Sequence, residues 1–197
     1  MNNCGYFPFF INIAGQSCLI VGGGHTALRK IEKLLPFEVH IKVIAPMIMD
    51  EIKKISLESR WDVVLEERAF SVDDLENMMF VIGATNDRGL NEFIAGECKK
   101  RKILVNIVDD IDNCSFLFPA LCKDKSLCIG ITSGGASPAA SKFIRQQIEE
   151  IIPEGTGDYL EILQSRRNEH RKQMPDQSRR AQANEEDVKE LFGGKSS

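Results

Sequence analysis

Apolar residues along this chain come in short runs, and each run hands over to a segment of helical spacing. "SCLIV" is a strand-type run, approached through "FFINI". "TALRKIEKLL" follows, with apolar residues at 27, 28, 31, 34 and 35, the spacing of one helix face. Pro36 stops that helix. "VHIKVIA" reads as the next strand, "MIMDEIKKIS" as a short helix and "WDVVLEE" as a strand. "SVDDLENM" is a short helix with Ser71 as its cap. "MFVIGAT" is a buried strand, "DRGLNEFIAGECKKR" a helix and "ILVNIVD" another buried strand. Parallel strands need crossover connections, and the crossovers lay helices on the sheet. The alternation therefore predicts an α/β fold, a doubly wound parallel sheet over residues 1–112.

The pattern changes after residue 112. "CSFLFPALCKDKSLCIGIT" is two apolar runs around a polar turn, the signature of an antiparallel hairpin. "SGGASPAASKFIRQQIEEII" follows, with Ser137 placed to cap a helix and Pro138 suited to its first turn. Pro153 and Gly155 close that helix. Residues 113–150 thus form a β-hairpin plus helix. Residues 151–197 form a small C-terminal helical domain with a break at Pro175 and a frayed end.

Composition narrows the function classes. A net charge of −4 gives no global attraction to nucleic acid or to an anionic membrane. No apolar run approaches the roughly 20 residues of a membrane span. The N-terminus lacks a basic signal-peptide region, so a cytoplasmic location is expected. Of the six cysteines (Cys4, Cys18, Cys98, Cys114, Cys122 and Cys128) none forms a C-x-x-C pair, which predicts reduced, mostly buried thiols. Residues 164–180 are rich in Arg and Lys, and acids follow in "NEEDVKELF".

The most specific local signal is Gly22-Gly23-Gly24-His25-Thr26-Ala27, a G-x-G-x-x-A pattern directly between a strand and a helix. In that setting Gly22 permits a tight turn, Gly24 admits a pyrophosphate, and Ala27 lets helix and sheet pack closely. The helix N-terminus then points amides at the phosphates. The expectation is a Rossmann-like dinucleotide site formed by Gly22, Gly23, Gly24, His25 and Thr26. The second strand ends in Ala45 and Pro46, where a ribose-binding acid is usual. Asp50 and Glu51 lie past the strand end, and no Arg marks a 2′-phosphate. "GATND" ends the next strand. Its Ala84, Thr85 and Asn86 are placed to contact a cofactor ribose, while Asp87 is placed to cap the following helix.

Several stretches taken in order carry a resemblance: "LIVGGGHTALRKIEKLL", "VIGATND", "VNIVDDIDNCSFLFPA" and "IGITSGGASPAASKFIRQQIE". Together, from about residue 7 to 152, the chain resembles the precorrin-2 dehydrogenases of sirohaem synthesis. Some members of that family are also sirohydrochlorin ferrochelatases, and others carry a fused methyltransferase domain. Nothing here matches that domain, so the expected form is the stand-alone one. The family uses NAD without the strand-end acid. The resemblance implies a homodimer joined through the hairpin segment 113–150, a tetrapyrrole substrate (precorrin-2), and ferrous iron as a second substrate where chelation occurs.

Precorrin-2 carries eight carboxylates, so an acidic protein must hold it through local cations. Arg29 and Lys30 follow the glycine loop, Lys123 and Lys125 sit at the hairpin turn, and Lys142 and Arg145 lie three apart on one helix. Ser133 and Gly134, in "TSGGASP", precede a capped helix and offer a second anion site. In the family, the serine matching Ser133 lies near the tetrapyrrole. Asp109 follows a buried strand at the edge where open α/β sheets place ligands, and a carboxylate there can accept a proton released in dehydrogenation. The family's functional aspartate also maps to Asp109, with Asp110 and Asp112 as near competitors. His25, His40 and His170 make no metal cluster, and no metal ligands are assigned.

Two other classes compete with an enzyme. A non-catalytic NAD(H)-sensing regulatory domain explains the glycine loop and the alternation, but gives "FLFPA" and "TSGGASP" no role. An interaction protein using the basic segment 164–180 would show salt-dependent binding that is lost with that segment.

Overall fold

The computed structural model describes residues 5–59 and 62–193. Cys4, Trp61 and the last four residues of the tail lie outside the described residues. The chain forms two compact units that meet in sequence at Phe118 and Pro119.

The first unit holds five parallel strands: β1 (Ser17–Val21), β2 (His40–Ala45), β3 (Val63–Glu67), β4 (Phe80–Gly83) and β5 (Leu104–Ile107). Their order is β3-β2-β1-β4-β5. Three α-helices connect them: α1 (His25–Leu34), α2 (Asp50–Glu58) and α3 (Arg88–Arg101). The crossover from β3 to β4 is instead a short 3-10 turn, Val72–Leu75. Side chains alternate across a strand, so each strand feeds two cores. Cys18 and Ile20 face a core with Ala27 and Ile31 of α1 and Ile52 of α2. Leu19 and Val21 face the other, with Ile94, Ala95 and Cys98 of α3. This is the doubly wound arrangement that the alternation predicts. Residues 5–12 are almost wholly exposed and form no strand.

Residues 114–116 are tied back to β5: Ser115 Oγ accepts the Val105 N–H at 2.8 Å, and Asn106 Nδ2 donates to the Phe116 carbonyl at 3.0 Å. Phe116 and Phe118 then pack against the α1-side core.

On the other face, β2 and the end of β3 carry a charged network. Asp74 is buried, and the guanidinium of Arg68 grips both its oxygens at 2.8 and 2.5 Å. Lys42 adds a contact at 3.2 Å and also pairs with Glu66 at 2.9 Å. Asp74 accepts the Ser71 N–H at 2.8 Å as well, and Ser71 returns the bond in a capping box. The Arg68 guanidinium, the Ser71 amide and Lys42 hold the Asp74 carboxyl far below the usual carboxylate range, against the effect of its burial. A depressed carboxylate stabilises the fold above its unfolded pKa, and that contribution is lost as pH falls. Asp74→Asn is expected to lower stability by about 2 kcal/mol at neutral pH. In thermal melts the gap from wild type should shrink below about pH 4. A gap that stays constant down to pH 2 would sink this account.

The second unit opens with an antiparallel hairpin, β6 (Ala120–Asp124) and β7 (Leu127–Ile131). Asp124 pairs with Leu127, which leaves the two-residue turn Lys125-Ser126. α4 (Pro138–Ile151) follows, with Ser137 Oγ accepting the Ala140 N–H at 3.1 Å and Pro138 at the first helical position. α5 (Thr156–Gln173) and α6 (Gln177–Phe192) flank Pro175. They run antiparallel, since Arg166 bridges Asp187 and Glu190 while Tyr159 stacks edge-on against Phe192.

Candidate functional site

In the strand order β3-β2-β1-β4-β5 the connections change direction between β1 and β4, and open α/β sheets bind ligands outside the strand ends at such a point. The glycine loop occupies that place. Gly22 has φ +125°, and a Cβ there would overlap the Ala84 carbonyl that follows β4. At Gly23 a Cβ would overlap the Met47 carbonyl and come within 2.8 Å of Ile48 Cα. Both glycines are therefore demanded by the chain's own packing. Gly24 differs, because a Cβ on it would meet nothing within 4 Å. Its missing side chain clears space outside the protein, at the mouth of α1.

Gly24 is the N-cap of α1 and gives no side-chain bond to the helix. The first-turn amides at His25, Thr26 and Ala27 therefore have no side-chain cap, and the first turn carries no acid. These features suit the diphosphate of a dinucleotide.

The neighbouring strand ends complete the edge. Ala45 is buried against the glycine loop, and the backbone after Pro46 folds onto that loop, with the Met49 N–H donating to the Gly23 carbonyl at 3.0 Å. The space beside the glycines is thus taken by main chain, which gives the missing strand-end acid a physical reason. Glu67, at the end of β3, accepts the Ile48 N–H at 3.2 Å and pairs with Lys53 at 2.8 Å. After β4, the Thr85 hydroxyl donates to Asn91 Oδ1 at 2.8 Å and Asp87 caps α3, so Thr85 supports the loop. Ala84 lies against Gly22, and Asn86 is exposed.

After β5, Asp109 is exposed and has φ +59°, a left-handed conformation that Asp tolerates better than most residues. Asp110 is spent locally. Its carboxylate accepts the Asn113 N–H at 3.3 Å and the Asn113 side chain at 2.8 Å, and the second of these bonds lowers its pKa most. Asp112 lies in the turn so capped.

Arg29 is exposed, but Lys30 turns inward beside Ala27 and Ile31. Its ammonium lies 3.9 Å over the Phe118 ring and 3.4 Å from Asn106 Oδ1. Asn106 and Phe118 are not among the residues the sequence singles out. The available signal was an asparagine inside the apolar run "ILVNIV", since a buried amide needs partners.

The remaining predicted residues belong to the second unit. The Ser133 hydroxyl accepts the Ser137 N–H at 2.9 Å and donates to the Ser137 carbonyl at 3.0 Å, fixing the loop before α4. Gly134 adopts φ +62° in that loop. Arg145 pairs with Glu149, while Lys142 is exposed. Lys125 is held by Asp158 and Glu161 at 2.5 and 2.8 Å, so the turn lysine braces the hairpin against α5.

The family of putative NAD(P)-binding domains matches residues 9–120. The chain belongs to this family. A siroheme synthase of Nitrosomonas europaea is 33% identical over 175 residues, covering 89% of this chain and 37% of that protein. One from Buchnera aphidicola is 35% identical, covering 80% of this chain and 33% of that protein. The chain thus spans about a third of the length of the curated relatives it matches. The solved structure of SirC, a precorrin-2 dehydrogenase, superposes with a TM-score of 0.74 at 26% identity, covering 92% of this chain and 88% of that one. No helix among the described residues is long and apolar enough to cross a membrane.

Proposed function

We propose that this chain catalyses the NAD-dependent dehydrogenation of precorrin-2 to sirohydrochlorin in sirohaem synthesis. The observation that carries the reading is the outward-cleared Gly24 at the switch point, in a chain that parallels a precorrin-2 dehydrogenase along nearly its whole length. The oxidised nicotinamide, when bound, supplies the hydride acceptor. The chain's own residues do the rest. Gly22, Gly23, Gly24, His25 and Thr26 hold the diphosphate; Ala45, Pro46, Ala84, Thr85 and Asn86 flank the riboses. Asp109 accepts the proton that leaves the substrate along with the hydride. The substrate carboxylates are held by Arg29, Lys30, Lys142 and Arg145 and by the loop at Ser133 and Gly134. Where iron is inserted, Asp109 takes the pyrrole protons and ferrous iron is a substrate.

The protein acts in the cytoplasm as a homodimer, joined through residues 113–150, with 1–112 binding the dinucleotide and 151–197 forming the C-terminal helical domain. One observation supports the dimer: α4 exposes Phe143, Ile144 and Ile151 at 61%, 46% and 78%.

The test is an anaerobic incubation of the purified protein with precorrin-2 and NAD, followed by ferrous iron. Sirohydrochlorin absorbance that depends on NAD supports the reading. Iron insertion faster than in a protein-free control adds chelation. Dinucleotide binding without turnover would favour a sensing domain and overturn the proposal.

A further inference from the structure

Lys30 does not look like a surface grip for anions. It projects from the sheet side of α1 onto an aromatic ring and a buried amide. That amide is fully committed. Asn106 Nδ2 donates to the Phe116 carbonyl at 3.0 Å and to Cys114 Sγ at 3.4 Å, while Oδ1 takes the lysine. An ammonium has three N–H donors, and Asn106 takes one. No carboxylate forms an ion pair with it among the described residues, although Asp109 follows Asn106 by three positions on the same strand exit. A charge drawn out of water without a counter-ion is costly, and an arriving anion offsets that cost.

Resting on the dehydrogenase reading, we propose that Lys30, seated on Phe118 and Asn106, anchors a substrate carboxylate beside Asp109 and does so only while protonated. Tetrapyrrole binding then fails at alkaline pH, while dinucleotide binding does not. The electrostatics of the seat support this. Burial, then Lys33, push the Lys30 pKa down to about 8, with a smaller push from Arg29, while Cys114 and Asp109 act the other way. Burial holds the Cys114 thiol above its ordinary value. Substrate carboxylates stay ionised throughout the neutral and alkaline range.

The probe is sirohydrochlorin, titrated anaerobically by fluorescence at pH 7 and pH 9.5, with NAD titrated in parallel. If only the protonated lysine binds, wild-type affinity for sirohydrochlorin falls by up to about 30-fold between the two. Lys30→Arg stays charged and keeps the ring contact, so its affinity is nearly equal at both pH values. Lys30→Met binds weakly at both. NAD affinity is unchanged in all three, which verifies that each variant is folded. A wild-type affinity that is flat with pH, or a Lys30→Met protein that binds as wild type, overturns the proposal and leaves the dehydrogenase reading standing. Failure of the wild type to bind sirohydrochlorin at either pH overturns both.

Discussion

Gly24→Asp is expected to abolish dinucleotide binding without weakening the fold. The new side chain has room, because nothing lies within 4 Å of the Cβ position. The residue is the N-cap of α1 in extended backbone, where Asp is among the favoured residues. The melting temperature should therefore hold or rise slightly. The carboxylate, however, stands where the proposed site brings the diphosphate to the α1 amides. Two charges about 4 Å apart near a protein surface repel by roughly 4 kcal/mol, which corresponds to about a thousandfold in affinity. Gly22→Ala should behave in the opposite way. Its Cβ would overlap the Ala84 carbonyl at φ +125°, so the melting temperature drops before binding is considered. Calorimetric NAD titration with a thermal melt on each variant separates the two. Unchanged NAD affinity in Gly24→Asp would refute the placement of the phosphates.

The second large effect is expected at Asp109. Asp109→Asn keeps the shape and the tolerance for left-handed backbone, so the turn after β5 is preserved. It removes the proposed proton acceptor, and general-base catalysis contributes roughly 100- to 10,000-fold. Turnover of precorrin-2 should fall by about that factor with NAD affinity intact. Asp110→Asn is the matched comparison. Its carboxylate holds the Asn113 turn, so the change should lower stability only slightly and leave turnover within a few fold. Loss of turnover in Asp110→Asn with normal activity in Asp109→Asn would reverse the assignment.

These two sites differ in how far the sequence reveals them. The glycine loop is legible because its meaning is local: a strand, three glycines and a helix in one continuous stretch. At Asp109 the sequence offers three neighbouring acids, and periodicity does not choose among them. The structure separates them by hydrogen bonding, since Asp110 is consumed by Asn113 while Asp109 is turned outward by its left-handed backbone. Lysines show the same divide. Lys30 and Lys125 look alike as exposed cations in the sequence. One is drawn onto Phe118 and Asn106, and the other is neutralised by Asp158 and Glu161.

The sequence by itself determined the alternation of strands and helices, the glycine loop between β1 and α1, the Ser137 cap and the break between α5 and α6, because spacing, capping and proline act within a few residues. Only the tertiary structure decided which glycine faces open space, what packs against the glycine loop at the end of β2, and which charged groups are tied up within the protein. Each of those depends on atoms far apart in the chain: Gly22 against Ala84, Gly23 against Met47, Lys30 against Asn106. Such contacts exist only once burial has packed the strand ends onto one edge, and no local pattern of hydrophobic and polar residues encodes them.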